Sequence, residues 1–90
     1  MATFAKTPNR LLHKARATPY ALSVEARVDD KYVRRLLSGR ASNPTRGTII
    51  RLGNALLDLS GEITLDEIDD LLKAGGKGTL RRERIVLSGG

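Results

Sequence analysis

Lys31, Arg34 and Arg35 stand at spacings of three and four, which places them along one side of a helix. A guanidinium in that setting can donate two hydrogen bonds to the O6 and N7 of a guanine, and an ammonium can reach the same acceptors as a point charge. Those residue types suit base edges and phosphates, not bond making. With no Cys and only His13 among its imidazoles, the chain has no thiolate nucleophile, no sulfur zinc site and no histidine metal cluster. No nucleophile, base and orienting group occur in a recognisable arrangement, so an enzyme is not expected, and neither is a cofactor.

The charge points the same way. Sixteen Lys and Arg against ten Asp and Glu give +6, and the sign is segregated. Residues 1–51 carry eleven basic and three acidic groups, residues 52–76 one and six, residues 77–90 four and one. Such a balance favours a polyanionic partner. With only Phe4, Tyr20 and Tyr32 as aromatics there are few platforms on which single-stranded bases could stack, so duplex phosphates are the expected target. Ninety residues make one small domain, and the longest apolar runs are triplets such as Ile85, Val86 and Leu87. A bilayer span needs about 20. The expectation is a soluble chain of the cytoplasm without a membrane partner.

Five short helices must position these groups. Thr7 with Pro8 reads as the start of a first helix, which turns Leu11, Leu12 and Ala15 inward and ends near Ala17. Thr18 and Pro19 repeat that signal for a second helix through Ala26, offering Leu22, Ser23 and Ala26 to its neighbours. Asp29 caps a third over Asp30 to Ser38, closed by Gly39. On its wheel Val33, Leu36 and Leu37 face the core, and Lys31, Arg35 and Ser38 lie opposite, flanked by Arg34 and Tyr32. After Asn43-Pro44, Thr45 caps a fourth helix with Ile49, Leu52, Leu56 and Leu59 as its stripe. Thr64 and Glu67 stand in capping-box spacing for a fifth, with Ile63 and Ile68 as a staple. It closes at Gly75 and Gly76. Leu65, Ile68, Leu71 and Leu72 are read as its apolar stripe, and Asp66, Glu67, Asp69 and Asp70 as its solvated side. The domain is thus drawn at 1–76, with Gly75, Gly76 and Gly78 as a hinge to a basic tail, 77–90, whose Ile85 to Leu87 have strand character.

Two short helices joined by a tight turn, the second presenting basic side chains opposite its apolar face, satisfy what a helix-turn-helix needs to enter a major groove. The stretch from Leu22 to Gly39, followed by Asn43-Pro44-Thr45 and Leu52-Gly53-Asn54-Ala55-Leu56, resembles the Cro/CI-type (Xre) helix-turn-helix family of bacterial and phage transcriptional regulators. The resemblance spans about residues 8–59. It departs from the family at Ser23, where Ala is usual, and at Arg27, where the turn usually has Gly. A left-handed Arg27 would cost about 1–2 kcal/mol.

The resemblance implies an all-α, lambda-repressor-like DNA-binding domain and a repressor that occupies an operator. It implies that Asp30, Lys31 and Arg35 meet base edges; the wheel selects Lys31 and Arg35 on its own. Arg34 could grip a base or a phosphate. Asp30 could offset the helix dipole or accept from a cytosine amino group. Backbone contacts are expected from Thr18, Tyr32, Ser38, Arg40, Ser42, Asn43, Thr45 and Arg46, with Tyr32 equally suited to packing. One such module makes a modest interface, so a homodimer on a palindromic site with G-containing half-sites is expected. The tail could supply a dimerisation strand or a backbone-following arm. The alternatives are an antitoxin-like or adaptor protein docking its partner on the acidic helix 65–74, and a nonspecific nucleic-acid binder.

Overall fold

The computed structural model describes residues 4–78 of the 90. They form α1 (Lys6–Ala15), α2 (Pro19–Ala26), α3 (Asp30–Ser38), α4 (Arg46–Leu59) and α5 (Leu65–Ala74), and no strand. The fold is all-α. The tail beyond Gly78, with its strand-or-arm alternatives, lies outside the described residues.

Most boundaries are written locally. The hydroxyls of Thr18, Thr45 and Thr64 accept from the backbone N–H groups of Ala21, Thr48 and Glu67, and the Asp29 carboxylate accepts from Tyr32 N–H. Each satisfies one of the donors a helix start leaves over. At α5 the box is complete, because Glu67 reaches back to the Thr64 N–H at 3.0 Å. Arg27 ends α2 at φ 56° and ψ 44°, the left-handed state that the missing turn glycine requires, and Gly39 ends α3 at φ 83°.

The start of α1 differs from the sequence reading. Ala5 stands at the cap and Thr7 lies inside the helix. Pro8 permits either start, since its missing N–H falls among the first-turn donors in both. Phe4, buried to 2% exposure, draws the chain into the core and selects the earlier one. The other end is also earlier, at Ala15, because Arg16 turns left-handed at φ 56°.

Leu11, Leu22, Val33, Leu36, Ile49, Leu52, Leu56, Leu71 and Leu72 make one continuous core, drawn from all five helices. α4 packs against α1, α2 and α5. It runs close to α5 at Gly53, where an added Cβ would stand 2.8 Å from Cγ2 of Ile68. Gly75 is also closely packed: a Cβ there would meet Ile49 Cδ1 at 2.6 Å.

Two assignments on α5 need correcting. Leu65 is 62% exposed. It sits at the stripe's edge on the first helical residue, where side chains lean back toward the N-terminus and so past the packing surface. Asp69 is 6% exposed, a buried carboxylate and not part of the solvated side. Ile63 and Ile68 are buried as the staple requires.

Candidate nucleic-acid interface

The outer side of α3 is the centre of the site. Val33 and Leu36 are each 1% exposed and hold the helix down; Leu37 is half-buried beside them. With that face fixed, helical geometry turns Lys31, Arg34, Arg35 and Ser38 outward, and all four are exposed. The side chains of Lys31 and Arg35 make no ion pair or hydrogen bond among the described residues. Ser38 Oγ donates to the Arg35 carbonyl at 3.1 Å.

Arg34 is different. Its Nε donates to Asp30 Oδ2 at 3.0 Å, an acid–base pair one helical turn apart in the favoured order. The spacing was visible in the sequence, and the pairing is what that spacing predicts. Asp30 Oδ1 is shut off from solvent and has no hydrogen-bond partner among the described residues. One oxygen of Asp30 is therefore engaged by Arg34 and the other is covered. This arrangement suits Asp30 to orienting Arg34 more than to accepting from a base.

Both ends of α3 are fastened. At its start Asp29 caps the helix. At its end the N–H groups of Arg40 and Ala41 both donate to the Arg35 carbonyl, at 2.9 and 3.0 Å, and the Asn9 side-chain amide donates to the Leu37 carbonyl at 2.7 Å and to that of Ala5 at 2.9 Å. Asn9 thus ties α1 to the last turn of α3. Nothing in its sequence position announces this, because the partner is 28 residues away.

The residues expected to hold phosphates surround the helix in sequence. Thr18 is exposed at the start of α2, its Oγ1 occupied by the cap bond to Ala21 N–H. Tyr32 is half-buried and its ring packs against the core, as one of its two readings required. In the connection between α3 and α4, Pro44 is fully buried and anchors the loop, while Arg40, Ser42, Asn43 and Thr45 are exposed and Arg46 is half-buried. Thr45 accepts from Thr48 N–H, and Asn43 Oδ1 accepts from the Lys77 ammonium at 3.2 Å. Lys77 was assigned to the tail; the contact brings it to this loop.

The cations of α1 are used otherwise. Lys14 donates to both oxygens of Glu67, at 3.0 and 2.9 Å, and Arg10 stands 3.8 Å from both Glu67 and Asp70. Partial burial pushes the Glu67 carboxyl up, but the hydrogen bond from Lys14, the Thr64 N–H and the Lys14 charge together outweigh it and hold the group below its ordinary 4.5. Two acids of α5 are thereby joined to α1.

Among the described residues no group of three or more His, Asp or Glu is placed to hold a metal, and no helix is long and apolar enough to cross a membrane. Compared with protein-family models, curated proteins and solved structures, the chain matches none.

Proposed function

We propose that the chain is a sequence-specific double-stranded-DNA-binding transcriptional regulator, a repressor of the Cro/CI-type, that lays α3 in the major groove of an operator. The observation that carries this reading is the state of Lys31 and Arg35: two exposed cations on the outer side of a short, well-anchored helix, with no side-chain partner among the described residues. Arg35 is the guanine reader and Lys31 its neighbour along the groove. Arg34, held by Asp30, is placed for an adjacent base or phosphate. The first amides of α2 next to Thr18, and the loop from Arg40 to Arg46, supply backbone contacts that fix register. A homodimer on half-sites about 34 Å apart supplies the affinity one module lacks. The setting is the bacterial or phage cytoplasm.

The antitoxin-like alternative placed its partner on the acidic side of α5. Glu67 and Asp70 are committed to Arg10 and Lys14 there, and Asp69 is buried, which favours a packing role for these acids.

The test is selection of the purified chain on a randomised duplex library at about physiological salt. An enriched G-containing inverted repeat is the expected result. Salt-sensitive binding with no enriched sequence would sink the regulator and leave a nonspecific binder.

A further inference from the structure

A cleft of about 350 Å³ opens between the end of α2 and the outer side of α4. Its floor is made by Ala26 and Ala55, 6% and 2% exposed, whose single methyl groups leave the space that longer side chains would fill. Its rim is charged. Glu25 and Arg27 come from the last turn of α2 and its cap, and Arg51, Asn54 and Asp58 from one exposed stripe of α4, at spacings of three and four. Two cations and two anions thus line one opening, yet none of these five side chains makes a hydrogen bond or ion pair among the described residues. The seam between α1 and α5 shows what the same residue types do when they meet: Lys14 closes on Glu67 at 2.9 Å. Around the cleft the charges stand apart, with open space between them.

Arg27 supplies a second observation. It holds φ 56°, a left-handed conformation that is strained for an L residue and open to glycine. The turn uses only its backbone, whose N–H donates to the Val24 carbonyl at 3.3 Å. Strain retained at a residue whose side chain the fold does not use points to a use outside the fold.

The charges select the ligand. A simple anion would gain Arg27 and Arg51 but face Glu25 and Asp58, and a simple cation would meet the reverse. A neutral apolar molecule would strip water from four charges and return no contact. A small molecule carrying both signs satisfies both pairs. We propose that this cleft binds a free α-amino acid, its carboxylate held by Arg27 and Arg51 and its ammonium by Glu25 and Asp58, with the Asn54 amide able to serve either end. Small-ligand sites run from about 300 to 1,000 Å³, and this cleft, at the low end, suits a single amino acid. The site shares no residue with the nucleic-acid surface around α3, and it stands whether or not the chain binds a duplex.

The experiment titrates the common amino acids, one at a time and to millimolar concentration, into the isotope-labelled full chain and follows the backbone amide resonances. At least one should shift residues 25–27 and 51–58 along a saturating curve and leave α1 unmoved. The methyl ester and the N-acetyl form of that amino acid should each bind at least about tenfold more weakly, as loss of one charge-assisted contact requires. Arg51→Gln and Asp58→Asn should each weaken binding by a similar factor with the urea midpoint unmoved, since both positions are exposed. If either variant moves the midpoint, the ester and acetyl comparison on the unaltered chain decides alone. No shift with any amino acid overturns the proposal. Equal binding of the ester or acetyl form overturns it too, as does binding that neither substitution weakens, because the contact then lies elsewhere.

Discussion

The side of α3 that faces outward and the seam between α1 and α5 use the same residue types to opposite ends. In the seam, Arg10 and Lys14 are matched to Glu67 and Asp70 across two helices, and Glu67 keeps only 12% of its side chain exposed. On α3, the side chains of Lys31 and Arg35 have no partner among the described residues, and the local acid, Asp30, is given to Arg34. The net charge of +6 does not distinguish these cations; their surroundings do. Where a cation is matched inside the molecule it contributes to folding; on the proposed reading, the two unmatched ones serve the duplex. The difference can be measured one region at a time.

The largest effect should come from removing the unmatched pair. Lys31→Ala with Arg35→Ala should cost about 2–4 kcal/mol on the selected duplex, roughly 30- to 700-fold, with the urea midpoint of unfolding unmoved. The control, Arg10→Ala with Lys14→Ala, should do the reverse, moving the midpoint and sparing the affinity. If the control weakened the selected duplex as much as the α3 pair did, the two regions would not be separate in function.

A middle effect belongs to Glu67, which both caps α5 and holds Lys14. Glu67→Ala should destabilise the fold by about 1–2 kcal/mol, read from denaturant titration, through the lost box and ion pair. The pH dependence follows from the direction of its shift. The folded group ionises below the ordinary 4.5, so the folded state resists its protonation more than the unfolded state does. Its contribution is complete above that value and is lost as pH falls through the folded pKa. The unaltered chain should therefore lose stability on acidification below about pH 4.5 more steeply than Glu67→Ala does. Parallel curves would refute the assignment.

The smallest effect should be at Asp30. Asp30→Asn removes one negative charge beside the proposed groove and loosens Arg34. Binding to every duplex should tighten by about two- to fivefold, with the preference between sequences narrowing, because an exposed pair of this kind is worth under about 1 kcal/mol. A tighter and more selective variant would show that Asp30 opposes the correct contacts instead of arranging them.

Much of the fold was legible because its signals are local. Thr18-Pro19, Asp29 with Gly39, Thr45, and Thr64 with Glu67 each fix a helix end within four residues, and each helix ends where those residues require. The readings that failed depend on residues elsewhere. Phe4 decides where α1 begins, and the angle at which α5 is packed decides that Leu65 is outside and Asp69 inside. The site divides the same way. The outward placement of Lys31 and Arg35 follows from Val33 and Leu36 through helical period alone, whereas the Asn9–Leu37 and Lys77–Asn43 contacts join residues 28 and 34 apart and leave no mark in the pattern. The Asp30–Arg34 pair is intermediate, since its spacing of four was present but competed with other roles for both residues.

The Asn9 amide, which ties the last turn of α3 to α1, sets the mechanics of any complex formed on this face. A helix packed through Val33 and Leu36 and tied to α1 at its last turn resists sliding or tilting to follow a groove. On the proposed reading the cost of fit then falls on the duplex, which must bend or twist until its base edges meet Lys31 and Arg35. Deformation energy depends on sequence even where no side chain reaches, being lowest at flexible pyrimidine–purine steps. An operator for this chain would thus be chosen partly for its stiffness, at base pairs the protein never touches.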